Sequence, residues 1–411
     1  MAAEPTFLVV GASLAGAKAA ERMRKGGFDG RLVLVGEEDE RPYERPPLSK
    51  GYLLGNEARD EGFVHAASWY EENSVELLLG QRATALDAGA HEVELADGTR
   101  LGYQKLLLAT GASPRRLDIP GAELDNVLYL RSRADSDRLA AALDAGGRVV
   151  VVGAGWIGLE TAVAARARDC QVTVVEPQPA PLLGALGPEV GGFFTELHSA
   201  HGVEFLFGQQ VQEFRGDGAV TAVVTDAGTE VPADVVIVGV GIRPNTELAE
   251  AAGLTVDNGI VVDETLRTSN PDIYAAGDVA RSYVPRYGTE IRVEHWANAL
   301  RGGTSAGRSM IDEQVSYDRP PYFFSDQYDA GLEFAGWFAL GSYDRVVFRG
   351  EPSTDGFQAF WVAGGKVVAG MHVNRWKDGI KLIEALLKLD QPVDLDRLAD
   401  EDVPLAELTG G

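Results

Sequence analysis

The sequence predicts an α/β chain with two glycine-punctuated βαβ units, followed by a separate α+β domain. Three observations carry that expectation. Residues 9–16, VVGASLAG, and 151–158, VVGAGWIG, are both apolar strands that break at glycine and run into helix-favouring sequence. Both units are trailed by a hairpin and another apolar strand, and from about Arg319 the pattern changes to short alternating strands.

The first unit begins with an apolar strand, Phe7 to Val10, turns at Gly11 and continues as AGAKAAERMRK. Its second strand, RLVLVGEE, ends at Glu37, which lies 21 residues after Gly16. The hairpin HEVELADGTRLGYQKLLLATG turns at Asp97-Gly98. The second unit reads VVVVGAGWIG, then LETAVAARARD as helix, then QVTVVE, with Glu176 18 residues beyond Gly158. Its hairpin, AVTAVVTDAGTEVPADVVIVGVG, turns near Gly228. The final domain has EFAGWF, RVVFRG, FQAFWV and KVVAGMHV as strands, then a closing helix from Gly379 to Lys388.

Composition narrows the function. With 411 residues and 45% hydrophobic content, the chain can fill two or three cores. No apolar run reaches the roughly 18 residues a membrane span needs, and MAAEPT lacks the basic start of a secretory signal, so a cytoplasmic protein without membrane attachment is expected. A net charge of −25 opposes nonspecific binding to nucleic acid, leaving small ligands or a protein partner. The single cysteine, Cys170, allows neither an intrachain disulfide nor a redox-active pair and reads as a small buried filler. No metal site is expected: His198 and His201 share a helix face without a third ligand, and that face reads as solvated.

A strand–glycine–helix turn suits phosphate capture. The helix start offers unpaired N–H groups and partial positive charge, and glycine lets the backbone approach a pyrophosphate closely. An acid ending the next strand can accept hydrogen bonds from a ribose. One such turn is equally explained by tight strand–helix packing; two, each with its acid, point to two dinucleotides and electrons moving between them. The second turn has all three glycines, Gly153, Gly155 and Gly158, whereas the first carries Ser13 between Gly11 and Gly16.

In order along the chain come RPPLSK (45–50), LLLATGASPRRL (106–117), GAGWIGLE (153–160), GVGIRPN (239–245), NPDIYAAGDVA (270–280), VEHWANA (293–299) and SDQY (325–328). With these the chain resembles the NADH-dependent, FAD-containing ferredoxin reductases of the glutathione reductase superfamily. The resemblance implies two Rossmann-like dinucleotide-binding domains, for FAD (1–112 and 241–318) and NAD (113–240), plus a C-terminal α+β domain (319–411). It implies that Gly11, Ser13, Gly16 and Glu37 hold the ADP half of FAD, with Thr110 and Gly111 closing over the cofactor and Asp278 on the ribitol. Arg45, Pro46 and Lys50 fall in the loop that touches the flavin, and Trp296 flanks its ring. Gly153, Gly155, Gly158, Glu176 and Gly241 fall on the NAD side, where Glu176 favours NADH over NADPH. Glu160, on an otherwise apolar helix, is implied to project toward the flavin and to pair with Lys50. Such a partner is also what a buried carboxylate needs physically.

The implied activity passes electrons from NADH through FAD to a ferredoxin that supplies a cytochrome P450 or Rieske-type oxygenase, with Lys50, Glu160 and Trp296 nearest the chemistry. Two alternatives share the motifs. One is a rubredoxin reductase; the other is an NADH-responsive interaction flavoprotein resembling apoptosis-inducing factor. A monomer or a homodimer is compatible with the sequence. Relatives carry tryptophans where this chain has Tyr322 and Phe324, and an Arg after Glu176 where it reads EPQPAPLLG. The stretch 371–388 concentrates Arg375, Lys377, Lys381 and Lys388 against Asp378 and Glu384; Arg375, Lys377 and Lys381 read equally as part of a docking face for an acidic partner or as an ordinary helix start with scattered surface cations. The acidic tail from Leu389 is expected to be a solvated edge.

Overall fold

The computed structural model describes residues 5–377 and 379–409. The start of MAAEPT (residues 1–4), Asp378 of the basic stretch and the closing Gly410 and Gly411 lie outside the described residues. The chain forms two compact units: one takes the chain up to Arg45, Ala58–Ser113 and Ile242–Pro321, the other Pro46–Glu57, Pro114–Gly241 and the chain from Tyr322 on.

In the first unit the apolar runs form a five-stranded parallel sheet in the order Ile273–Ala275, Lys105–Leu108, Thr6–Val10, Arg31–Val35, Val75–Leu78. Buried on both faces, such strands read as continuous aliphatic sequence rather than as alternation, and Leu8, Leu32, Leu34, Leu106 and Leu107 are all fully buried. The helix Leu14–Lys25 packs against Trp296–Met310 at glycine distance. A Cβ at Gly303 would sit 2.2 Å from the Ala15 carbonyl oxygen, and one at Gly307 2.6 Å from that of Ala19. The Asp97-Gly98 turn joins Glu92–Leu95 to Arg100–Gly102, with Asp97 accepting from the Thr99 N–H.

The second unit repeats the parallel layout in the order Val203–Phe207, Gln171–Glu176, Arg148–Val152, Val235–Val238, Val127–Leu128. Between Gln171–Glu176 and Val203–Phe207 runs the helix Leu183–Ala200, kinked at Gly187 ahead of Pro188. The same unit contains an antiparallel sheet ordered Tyr322–Gln327, Ala330–Gly336, Lys366–Val373, Phe357–Ala363, Arg345–Arg349. One apolar cluster joins Val151, Leu159 and Phe194 to Phe323, Phe334 and Trp361, and the Trp361 indole N–H donates to the Leu186 carbonyl.

Two expectations are corrected. His198 is not on a solvated face. It is fully buried, with Nε2 2.8 Å from Gln327 Oε1, whereas His201 is exposed at the helix end and stacks on Tyr328. The acidic tail is not simply solvated either: Leu398 and Leu405 are buried, and the buried Arg349 guanidinium donates to the carbonyls of Leu398, Asp400, Glu401 and Val403. Those backbone acceptors hold the tail, together with the ion pair between its Glu401 and Arg375. Cys170 is buried, with its thiol 3.6 Å from the Leu143 carbonyl.

Burial pushes the His198 imidazolium down from 6.5 to about 4. Between those values the unfolded chain binds the proton and the folded chain does not, so this contribution to stability is complete above about pH 6.5 and is lost as pH falls toward 4. The loss is on the order of 3 kcal/mol. Urea unfolding at pH 7 and pH 4.5 is expected to show a smaller acid penalty in His198→Gln than in the unmutated chain; equal penalties would contradict it.

Candidate functional site

In the first unit, Gly11 has φ +123°, and its N–H donates to Val35 O at 2.8 Å. A Cβ there would lie 2.0 Å from Ala109 O, and one at Gly16 2.1 Å from Gly11 O. These two glycines thus let strand and helix close up. Ser13 is the N-cap of Leu14–Lys25, with no side-chain capping bond and no acid in the first helical turn. The helix starts bare, the state an arriving phosphate requires. Thr110 and Gly111 are strapped to Asn245: Thr110 Oγ1 donates to Asn245 O, Asn245 Nδ2 to Thr110 O, and Asn245 N–H to Gly111 O.

Asp278 is half-buried beyond the strand Ile273–Ala275. Burial works against the Arg45 charge, but Tyr43, Glu38 and Asp278 outweigh it and hold the guanidinium above its ordinary range. Burial also pushes His295 down to about 4, against the pull of Asp278. Arg45, Asp278 and His295 thus form one electrostatic cluster, and Trp296, half-buried, opens the next helix. Glu37 is exposed, 3.7 Å from Arg82. Its neighbour Glu38 takes the Arg45 guanidinium at 2.7 Å and the Tyr43 hydroxyl.

The second unit holds the other turn. Gly153 has φ +98°, and its Cβ would lie 2.6 Å from Gly239 O; a Cβ at Gly158 would lie 2.1 Å from Gly153 O. Gly155, the N-cap of Trp156–Arg166, differs: nothing lies within 4 Å of its Cβ position, and this helix also has neither a capping side chain nor an acid in its first turn. An open, uncapped cradle is what a pyrophosphate fits. Glu176 closes it, accepting from Ala154 N–H at 2.7 Å and Gln178 N–H at 2.9 Å, which fixes the carboxylate beside the turn with lone pairs to spare. Gly241 has φ +92° and accepts from the N–H of Arg115, an exposed cation near this turn.

Glu160 is buried on Trp156–Arg166 and is met by three donors. Lys50 Nζ lies 2.7 Å from Oε1, Ser325 donates to the same oxygen at 2.7 Å, and Ser49 donates to Oε2. Pro46 begins the 3-10 turn Pro46–Ser49, which sets the Ser49 hydroxyl and the Lys50 ammonium side by side. Lys50 also lies 5.6 Å from the Phe324 ring centre, and Tyr322 donates to Glu333 at 2.6 Å. Arg375 is tied to Gly356 O and Glu401, so it anchors the tail rather than standing free for a partner.

Sequence reasoning missed Glu38, Asn245, Ser49 and Ser325. Ser49 and Asn245 sit inside the motifs RPPLSK and GIRPN, but their partners are distant in sequence, 111 residues in the case of Ser49 and Glu160. Glu38 follows Glu37 in GEEDE, and nothing in the sequence separates the two acids. Val10 pairs with Val35 as Val152 pairs with Val175, so Gly36, not an acid, holds the rank of Glu176.

Residues 5–303 match the family model of the pyridine nucleotide-disulphide oxidoreductases. The chain belongs to that family. Residues 322–409 match the reductase C-terminal model. The ferredoxin–NAD(+) reductase component of the anthranilate 1,2-dioxygenase system of Burkholderia cepacia is 40% identical over 409 residues, 98% of this chain and 99% of that protein. Two solved structures share the fold over nearly their whole length. The ferredoxin reductase for the CYP199A2 system of Rhodopseudomonas palustris has TM-score 0.94 at 37% identity, covering 98% of this chain and 99% of that one. The covalent putidaredoxin reductase–putidaredoxin complex has TM-score 0.95 at 36% identity, covering 100% and 99%. Among the described residues no helix is long and apolar enough to cross a membrane.

Proposed function

We propose that the chain is an FAD-dependent NADH:ferredoxin oxidoreductase that supplies a cytochrome P450 or Rieske-type oxygenase. Two bare glycine turns in a chain that aligns end to end with ferredoxin reductases carry this reading. FAD, when bound, supplies the change from two-electron to one-electron chemistry. A single cysteine, buried against the Leu143 carbonyl, cannot form a dithiol relay, so this reading leaves out disulfide reduction through a cysteine pair. An NADH-dependent reaction suits a cytoplasmic location.

Residues 1–112 and 241–318 serve as the FAD domain, 113–240 as the NAD domain and 319–411 as the C-terminal domain. Gly11, Ser13, Gly16, Glu37, Thr110, Gly111 and Asp278 bind FAD, with Arg45, Pro46, Lys50 and Trp296 toward the ring. Gly153, Gly155, Gly158, Glu176 and Gly241 bind NADH. Lys50 and Glu160 set the charge felt by the flavin. Steady-state reduction of ferredoxins and rubredoxins by NADH tests the reading. Faster turnover with a ferredoxin supports it; slow turnover with every iron-sulfur acceptor and a long-lived charge-transfer complex would overturn it in favour of a redox-sensing protein.

Glu176 decides the nicotinamide. Its carboxylate repels a 2′-phosphate and accepts from ribose hydroxyls, so Glu176→Gln is expected to narrow the NADH preference, as a ratio of kcat/KM values, by about tenfold or more. Ferricyanide as acceptor isolates this step from protein docking. Equal efficiency with NADH and NADPH in the unmutated protein would contradict the assignment.

A further inference from the structure

Behind Glu160 runs a line of buried polar groups that NADH oxidation does not by itself call for. Ser325, Gln327 and His198 are each no more than 1% exposed, in a region otherwise lined by Phe194, Phe323 and Leu197. Buried polar groups at such a place are costly unless each is satisfied. Here they are satisfied by one another. Gln327 Nε2 lies 3.1 Å from Ser325 Oγ, Gln327 Oε1 2.8 Å from His198 Nε2, and His198 Nδ1 3.5 Å from the Tyr328 hydroxyl. Alternation along Tyr322–Gln327 turns Ser325 and Gln327 to the same buried face, while Phe324 and Asp326 point the other way.

The hydrogens in this line have one consistent arrangement while Glu160 is ionised. An ionised carboxylate only accepts, so Ser325 must donate to it, which leaves the serine oxygen to accept from the Gln327 amide N–H. The Gln327 carbonyl then accepts from His198 Nε2–H. His198 is thereby the Nε2–H tautomer, and its bare Nδ1 faces the Tyr328 hydroxyl. The line cannot simply reverse: a serine hydroxyl turned away from Glu160 would have to donate to the Gln327 amide nitrogen, which cannot accept, so reversal requires the amide to turn over and His198 to change tautomer. The arrangement therefore runs in one direction and fixes the rotation of the carboxylate.

We infer that Ser325, Gln327 and His198 are positioning residues that hold the Glu160 carboxylate oriented through a unidirectional hydrogen-bond line from His198. The inference rests on the proposed role of Glu160 beside the flavin. Lys50, Asp326 and Ser49 are the other groups facing Glu160; His201 and Tyr328 face His198. Lys50 supplies charge and the line supplies direction, so cutting the line is expected to leave the ion pair in place.

The test uses the FAD-loaded full chain. Ser325→Ala removes the donor, Gln327→Met cuts the line while keeping its bulk, and Ser325→Thr restores a hydroxyl. Ser325→Ala and Gln327→Met are expected to raise the flavin midpoint potential in the direction of Glu160→Gln but by less, and to slow single-turnover flavin reduction about tenfold with NADH affinity kept. Ser325→Thr is expected to recover most of both. If Glu160→Gln moves the potential and the two line variants do not, the inference fails and the role of Glu160 stands. If Glu160→Gln moves nothing in a protein that still holds FAD, that role fails, and the inference with it. A separate measurement needs no variant: nitrogen-15 shifts of labelled histidine in the unmutated protein should show His198 as the Nε2–H tautomer at neutral pH, and an Nδ1–H tautomer would overturn the line.

Discussion

Gly11→Ala is expected to yield a chain without bound FAD and with a loss of about 4 kcal/mol or more in the first unit's stability. The conformation alone disfavours alanine, because φ is +123°. Sterics add more: the new methyl would sit 2.0 Å from Ala109 O and 2.4 Å from Ala109 C. Neither backbone can yield freely. Gly11 N–H is bonded to Val35 O at 2.8 Å and Ala109 N–H to Val10 O at 2.8 Å, so any shift breaks ladder bonds in the middle of a parallel sheet. Gly155→Ala makes the control, since it occupies the same kind of turn in the second unit but has φ −79° and open space at its Cβ. Its unfolding free energy is expected to stay within about 0.5 kcal/mol of the parent, while KM for NADH rises because the methyl intrudes on the phosphate cradle. Flavin absorbance after gel filtration, urea unfolding and NADH titration read out all three effects. A yellow, stable Gly11→Ala protein would remove the first turn from the FAD site.

The contrast between these glycines marks what a sequence can disclose. Strand, glycine and helix are local, and both turns, the Asp97-Gly98 hairpin and the alternating C-terminal strands were legible because period and turn chemistry are written within some twenty residues. Long-range satisfaction is not written that way. Pro46–Glu57 groups with the second unit, where Lys50 meets Glu160 as the resemblance implied; that Ser49 meets it too was not announced, because by its own residues PPLSK reads as a proline-stiffened loop. His198 read as a surface residue because, with His201, it lacked a third ligand and no nearby residue called for its burial; its partner, Gln327, is 129 residues away. Arg349 closes the strand Arg345–Arg349 and serves four backbone carbonyls of the tail, about fifty residues on. The two turns also differ where the sequence made them look alike, because the hydrogen-bonded rank of Glu176 falls on Gly36 in the first copy.

Lys50→Met is expected to cost about 3–5 kcal/mol of stability, because it leaves the Glu160 carboxylate buried without its cation. Glu160 is 4% exposed and Lys50 is itself mostly buried, so solvent cannot replace the ammonium as it would at a surface pair. Ser49 and Ser325 remain as donors, but hydroxyl dipoles do not neutralise a charge. The double variant Lys50→Met, Glu160→Gln removes both charges, keeps an acceptor oxygen for one serine and offers an amide N–H to the hydroxyl of the other, so it is expected to recover most of the lost stability. The difference between the single and double variants isolates the uncompensated charge from lost packing. Stability and activity should part company here. The double variant is expected to fold and to retain FAD, yet to reduce its flavin more slowly than the unmutated protein, since the charge pair is proposed to act on the flavin and not only on the fold. Urea unfolding of the two single variants and the double, beside single-turnover reduction by NADH, separates the two roles. A double variant that folds and reacts like the parent would make Lys50–Glu160 a structural ion pair alone.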